Sequence, residues 1–361
     1  MFTKRKENVM NSIEDIRIMS IKPLPSPKEV KELYRLDQKT CRAIASYRET
    51  ITKIISWEDN RFLAIVGPCS IHSQKEAVEY ATRLKKLSDE VSDKIFIVMR
   101  AFFAKPRTTI GWKGLIYDPY LDGSCDIVEG VRLARETAKQ IIELGLPIGT
   151  EVLDPFTVQY LSDCISWAGI GARTVESQLH RELASGLSAP VGFKNNTDGN
   201  ILVAFDAMEA AGHQHVFLGV GDDGRIARVV TRGNPRTHII LRGAAGGENG
   251  KSATNYEKDY VQEVAAMLGK RGLSSAIVVD CSHGNSGKNH QKQAGVFFEV
   301  LKQRKSRRSH IVGAMLESYL EEGSQKITRD RSFLKRGISI TDACIGWDET
   351  EKLLKKAYDL L

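Results

Sequence analysis

The sequence predicts an α/β protein of the (β/α)8 (TIM) barrel class, with an N-terminal helical extension and an inserted β-hairpin. Two observations carry this. Eight short apolar runs each end in a residue able to hold a phosphate, a carboxylate or a metal ion, and most are separated by stretches of helical periodicity. Strand alternating with helix implies a parallel sheet with right-handed crossovers. Eight such units favour closure into a barrel, whose active site lies at the carboxyl ends of its strands. The 361 residues leave room for a barrel of about 250 residues plus an extension.

Residues 1–60 read as a mostly helical extension serving oligomerisation or regulation. Ser26-Pro27 is an N-cap followed by proline at the first helical position. Cys41, Ile44, Ala45, Ile51, Ile54 and Ile55 recur at helical spacing. Residues 61–361 form the barrel. Its expected strands end at Ile65–Cys69, Phe96–Arg100, Ile148–Glu151, Ile170–Arg173, Val191–Lys194, Ile239–Arg242, Val278–His283 and Gly313–Glu317. Ser73 caps a helix with an Ala77, Ala81, Leu84, Leu87 stripe, and Gly145 ends a helix over 127–144. Further helices are expected over 154–165, 176–187, 199–212, 255–271, 287–304 and 348–360. Two apolar stretches, 215–220 and 225–230, flank Gly221-Asp222-Asp223-Gly224, which reads as a hairpin. The Gly-rich run 243–250 lacks the Gly-Lys-Ser/Thr ending of a phosphate-cradling loop and receives no nucleotide role.

Bulk properties narrow the function. Apolar residues make up 42% and charged residues 27%, ordinary for a soluble globular chain. Neither a membrane span nor a signal peptide is visible, and six cysteines without a Cys-x-x-Cys pair suit a reduced, cytoplasmic protein. The net charge of +7 suggests either nucleic acid or an anionic small substrate. The one dense basic run, Lys302–Arg308, has no aromatic interleaving and reads as a solvated helix end. The other cations are spread over strand tips, which suits a pocket, so no nucleic-acid or membrane partner is expected.

Two constellations carry chemistry. Cys69, His283 and Glu317 end the first, seventh and eighth barrel strands, which are neighbours once the barrel closes. Asp342 lies in the loop before the last helix and can reach the same point. One thiolate, one imidazole and two carboxylates make a divalent-metal site, one per subunit, that does not discriminate among manganese, iron, cobalt, copper and zinc. A lone buried cysteine or locally bonded histidine would be structural, and His72, His180, His213, His215, His238 and His290 are read that way. Around this site stand Arg100, Lys105, Arg107, Arg173, Lys194 and Arg242. A phosphate carries about −1.5 to −2, so two phosphates and a carboxylate balance such a set, whereas one monophosphate does not require it.

The motifs Gly67-Pro68-Cys69-Ser70-Ile71-His72, Lys105-Pro106-Arg107-Thr108-Thr109-Ile110-Gly111-Trp112-Lys113-Gly114 and Ile170-Gly171-Ala172-Arg173-Thr174 resemble those of 3-deoxy-D-arabino-heptulosonate 7-phosphate (DAHP) synthases. So do Val191–Asn195, His238–Gly243, Asp280–Ser286 and Ser339–Cys344. The resemblance runs from about residue 13 to the end and is nearest the feedback-regulated type I alpha branch. It implies a transferase that condenses phosphoenolpyruvate with erythrose 4-phosphate, releases phosphate and opens aromatic amino-acid biosynthesis. It also implies metal ligation by Cys69, His283, Glu317 and Asp342. Phosphoenolpyruvate falls to Arg100, Lys105, Arg173, Lys194 and Arg242, and erythrose 4-phosphate to Lys105, Pro106, Arg107 and Thr108. Lys194, Glu151, Lys105 and His283 become the catalytic set, with Glu151 and Lys194 moving protons. An aromatic effector, tyrosine favoured, would touch Leu183, Leu187, Ser188 and Phe217, and a homo-oligomer (dimer or tetramer) is expected. Ala104, Asn196 and the long loop after Arg242 depart from the family pattern without touching a proposed ligand. Three rival readings are a Schiff-base aldolase using Lys194, the related 3-deoxy-octulosonate 8-phosphate synthase and a basic RNA-binding protein.

Overall fold

The structure, a computed structural model, describes residues 13–245, 253–306, 309–328 and 330–361. Most of the Gly-rich run 243–250, and the end of the basic run at 307–308, lie outside the described residues. Two helices lead: α1 (Pro27–Leu33), held by a capping box between Ser26 and Glu29, and α2 (Gln38–Ile55), capped by Asp37. There follow β1 (Phe62–Gly67), α3 (Gln74–Glu90), β2 (Ile95–Arg100), α4 (Ile127–Glu143), β3 (Ile148–Glu151), α5 (Thr157–Leu161), β4 (Ile165–Ile170), α6 (Gln178–Gly186), β5 (Val191–Lys194) and α7 (Leu202–Gly212). The hairpin strands are β6 (Val216–Val220) and β7 (Ile226–Val230); then come β8 (Thr237–Leu241), α8 (Lys258–Lys270), β9 (Ile277–Asp280), α9 (Gln293–Arg304), β10 (Ile311–Glu317) and α10 (Trp347–Leu360).

Eight of the strands close in the order β1-β10-β9-β8-β5-β4-β3-β2, all parallel, as the alternation predicts. Closure seats β1 between β10 and β2, with Gly67 opposite Glu317. Met315 of β10 stands opposite Asp280 of β9, and Lys194 of β5 opposite Ile240 of β8. The chemistry-bearing tips therefore share one rim.

The fourth barrel strand corrects the sequence expectation. It spans Ile165–Ile170, so Gly171, Ala172 and Arg173 lie in the loop beyond it, and the helix expected over 154–165 shrinks to Thr157–Leu161. Every residue of β4 is buried. A strand covered on both faces loses its polar alternation and cannot be told from a buried helical segment by periodicity.

Apolar side chains fill the barrel interior: Leu63, Ile65, Val98, Phe102, Trp167, Ile240, Val278, Val312 and Met315. Ile51, Ile54 and Ile55 of α2 join the same cluster, so the extension is packed against the barrel core. Trp167 needs a glycine beside it. A Cβ on Gly192 would stand 2.8 Å from the indole Cζ2 and 2.6 Å from Ile240 Cδ1. The second apolar layer lies between strands and outer helices. There α4 buries Val131, Ala134, Ala138, Ile141 and Ile142, and its chain reverses at Gly145 with φ +93.

β6 and β7 pair antiparallel, Val216 opposite Val230 and Val220 opposite Ile226. Period-2 alternation splits the hairpin into two faces. Phe217, Gly219 and Val229 face a cavity against the barrel helices, while Val216, Leu218, Ile226 and Val230 are exposed.

Candidate active site

A cavity of about 260 Å³ opens at the carboxyl ends of the barrel strands. Its wall includes Lys105, Pro106, Arg107, Thr108, Glu151, Arg173, Lys194, Arg242, His283 and Asp342. Every catalytic, substrate or metal residue singled out in the sequence lines it except Arg100, Cys69 and Glu317, which are buried.

The cation cluster is assembled by strand ends and loop stitching. Glu317 ends β10, and the Gln293 side chain brackets its backbone, accepting from its N–H at 2.9 Å and donating to its carbonyl at 3.0 Å. Cys69 follows β1, two residues past the Gly67–Glu317 pairing. The loop carrying Asp342 is tied down where the Thr341 and Ser70 hydroxyls bond at 2.8 Å and the Ile345 amide donates to the Glu317 carbonyl at 2.9 Å. One ligand atom each from Cys69, Glu317 and Asp342 lie within 4.8 Å of one another. Tetrahedral donors about 2.0–2.3 Å from a common centre stand about 3.3–3.8 Å apart, so thiolate and carboxylates fit a divalent cation after drawing in by about an ångström. His283 stands at the margin, its Nε2 3.9 Å from Glu317 Oε1 and outside the three-residue cluster.

Its electrostatics are set by burial and opposed charges. Burial pushes the Cys69 thiol up to about 11, with the Glu317 carboxylate adding to the rise and Lys105 opposing it. Burial would also raise Glu317, but His283, Arg100 and Lys105 outweigh it and hold the carboxyl below the usual range. Lys105 Nζ reaches the Cys69 carbonyl at 3.0 Å and its sulfur at 3.2 Å. Burial disfavours that ammonium, yet Cys69, Glu317 and Glu151 raise its pKa.

The anion half abuts the cation half. Arg100 Nη2 donates to Glu317 Oε1 at 3.0 Å, while Arg100 Nη1 is buried without a partner. A buried unpaired guanidinium nitrogen is costly unless a ligand oxygen satisfies it. Arg242 is fixed at its backbone by Asn195, whose Oδ1 accepts from the Arg242 amide at 2.9 Å. Burial lowers the Arg242 guanidinium, and Arg173 nearby lowers it further. Lys194 Nζ pairs with Asp280 Oδ2 at 2.9 Å. Pro106, Arg107 and Thr108 form the outer wall, where Arg107 and Thr108 are exposed.

Some contributors escape a reading of strand tips. Asp280 is a buried acid inside the seventh barrel run, and nothing in an apolar strand signals that its side chain faces a lysine and a histidine. Ser282 donates to Glu317 Oε2 at 2.9 Å. Lys288, a positive-φ residue on the turn after β9, adds a cation to the wall, as does Thr197 a hydroxyl. The basic turn residue was visible in sequence; its direction depends on backbone conformation.

A second cavity of about 350 Å³ lies between α2, α5, α6 and the hairpin. Leu183, Leu187, Ser188 and Phe217 all line it, with Arg48, Val158, Gln159, Ser162 and Thr231.

Residues 35–355 match the family model described as the DAHP synthetase I family. The chain is 45% identical over 348 residues to the Tyr-sensitive phospho-2-dehydro-3-deoxyheptonate aldolase of Escherichia coli K12, covering 96% of each chain. To the Phe-sensitive enzyme of the same organism it is 48% identical over 343 residues, covering 95% of this chain and 96% of the relative. The solved phospho-2-dehydro-3-deoxyheptonate aldolase of Francisella tularensis superposes with a TM-score of 0.91 at 43% identity, covering 95% of this chain and 98% of that one. With a barrel whose rim sets a group of potential metal ligands beside a wall of arginines and lysines, and with these relatives, this chain belongs to the DAHP synthetase I family.

Proposed function

We propose that the cavity at the barrel rim condenses phosphoenolpyruvate with D-erythrose 4-phosphate and water, giving 3-deoxy-D-arabino-heptulosonate 7-phosphate and inorganic phosphate. The carrying observation is the contact between the two halves of the site, where buried Arg100 pairs with Glu317 and keeps a second guanidinium nitrogen without a partner. Family membership supports the same reaction.

Arg100, Lys105, Arg173, Lys194 and Arg242 take the phosphate and carboxylate of phosphoenolpyruvate, and Arg100 Nη1 gains the acceptor it lacks. Pro106, Arg107 and Thr108, further out, take the phosphate of the sugar, with Lys105 between the two substrates. Cys69, Glu317, Asp342 and His283 would hold one divalent cation. When bound it polarises the sugar aldehyde as a Lewis acid. The cationic wall then holds carbon 3 of phosphoenolpyruvate in line with that aldehyde carbon, so the bimolecular step proceeds within one pocket. The new C–C bond forms as the C2=C3 pair attacks, water adds at carbon 2, and the C–O bond to phosphate breaks. Glu151 and Lys194 line the same cavity, within reach of the protons that water addition and phosphate departure require. The ion pair of Lys194 with Asp280 fits this role better than that of a free Schiff-base amine.

The second cavity takes an aromatic amino acid that inhibits the enzyme, with tyrosine as our preferred effector. Leu183, Val158 and Phe217 supply apolar contact, and Gln159, Ser162 and Ser188 supply groups a phenol can bond. The exposed row Val216, Leu218, Ile226 and Val230 serves as a contact between copies in a homo-oligomer. All six cysteines are free, and no helix among the described residues is long and apolar enough to cross a membrane, which supports a reducing, cytoplasmic setting.

The test is phosphate release from the two substrates after chelation and add-back of manganese, iron, cobalt, copper or zinc, with each aromatic amino acid titrated in turn. Metal-restored turnover inhibited by tyrosine is expected. Full turnover without metal, or no response to tyrosine, would overturn the respective assignment. Light scattering should give a mass above 40.2 kDa; a monomer would rule out the hairpin contact.

A further inference from the structure

We propose that Asp280 is a positioning residue that holds His283 for the cation and Lys194 for the substrate through one carboxylate oxygen. The inference rests on the metal and substrate reading above. Asp280 ends β9 with no exposed surface, and its Oδ2 stands 2.9 Å from Lys194 Nζ and 2.9 Å from His283 Nδ1. It is the one ion-pair partner of Lys194 among the described residues. Its other oxygen accepts from the Ser282 backbone amide at 3.0 Å, which fixes the start of the turn that carries His283.

That turn is itself unusual. His283 adopts φ +55, a left-handed conformation that non-glycine residues rarely take. Asn285 secures it by donating to the Asp280 and Leu241 carbonyls at 2.9 and 3.0 Å. The backbone thus spends strain to turn the imidazole back toward Asp280, leaving Nε2 toward Glu317 at 3.9 Å. Oδ2 is close to both Nδ1 and Lys194 Nζ as an ion pair, without hydrogen-bond alignment to either. Nε2, on the far side of the ring from Asp280, lies outside the three-residue cluster but 3.9 Å from its Glu317 member. A carboxylate on the far nitrogen of a ligating histidine fixes its tautomer and orientation. Here the same oxygen also anchors a lysine of the anion wall, so one side chain registers both halves of the site.

The experiment compares wild type, Asp280→Asn and His283→Ala by calorimetric titration of manganese, and of phosphoenolpyruvate into chelated protein. Asp280→Asn should weaken manganese binding 10–100-fold. It should leave phosphoenolpyruvate binding as tight or tighter, because a negative charge beside Lys194 has gone. Manganese affinity within threefold of wild type, or parallel weakening of both ligands, would overturn the proposal, since a merely structural defect moves both. If His283→Ala binds manganese like wild type, the metal assignment itself fails, and the positioning role fails with it. Should Asp280→Asn not fold, the zinc-loaded wild-type protein decides. Histidine-labelled ¹⁵N spectra should show the His283 proton on Nδ1, and a proton on Nε2 would exclude the role.

Discussion

Arg100 Nη2 lies 3.0 Å from Glu317 Oε1, and neither side chain is more than 1% exposed. A guanidinium with one unpartnered nitrogen thus neutralises a carboxylate that stands among potential metal ligands. Breaking a buried pair by removing one partner costs about 3–5 kcal/mol, because the other charge is left uncompensated. Arg100→Met should therefore lose about that much stability in urea unfolding of chelated protein. With manganese bound the loss should shrink, since the cation replaces the missing positive charge beside Glu317. Equal losses in both conditions would show that Glu317 does not face the cation.

The Cys69 thiol, pushed up to about 11 by burial and by Glu317, is protonated at neutral pH in the metal-free protein. A metal ligand must be thiolate, so binding expels a proton. Affinity should rise by up to about tenfold per pH unit from pH 7 to 9. Calorimetry in two buffers of different ionisation heat should count close to one proton released in wild type. Cys69→Ala should lose metal-dependent turnover and this proton release while keeping its circular dichroism.

Arg107 lies at the exposed outer rim, away from the buried Arg100. Hydrogen bonds to charged groups contribute about 1.5–3 kcal/mol. Arg107→Ala should lower kcat/KM for erythrose 4-phosphate by roughly 10- to 100-fold, with much less change in the KM for phosphoenolpyruvate. The reverse order in steady-state kinetics would exchange the two ends of the pocket.

His238, wholly buried in the barrel, accepts from Trp167 Nε1 at 3.3 Å, and burial lowers its pKa to about 3. Its folded pKa lies below the unfolded value near 6.5, so the unfolded chain binds a proton that the folded chain refuses. This contribution is fully present above pH 6.5 and is lost as pH falls toward 3, at up to about 1.4 kcal/mol per unit. Urea midpoints measured from pH 7 to 4.5 should fall less steeply in His238→Gln than in wild type. Parallel slopes would place the acid sensitivity elsewhere.

The strand tips were legible because they combine two strong signals, an apolar run and a charged or ligating residue where it ends. Cys69, Lys194 and Glu317 were each visible in that way, as were the cap at Ser73 and the turn at Gly145. β4 was blurred because burial on both faces erased its period. Asp280 was hidden for a related reason, since an acid inside an apolar run shows that something must pair with it but not what. The residues around the second cavity come from α2, α5, α6 and the hairpin, and no local pattern links segments that far apart.

By itself, then, the sequence determined the parallel alternation, the residue types at the rim and the balance of cations against two phosphorylated substrates. These depend on local periodicity and on side-chain chemistry, which the chain carries in any conformation. Tertiary structure alone decided that one oxygen of Asp280 stands beside both Lys194 and His283, that Arg100 reaches Glu317, and that His283 stands outside the close group of Cys69, Glu317 and Asp342. Those relations join residues up to 273 positions apart, as Cys69 and Asp342 are. Those of Arg100 and Cys69 with Glu317 exist only once closure of β1 against β10 brings the two ends of the barrel sequence together, and that of Lys194 with Asp280 once β8 pairs with both β5 and β9.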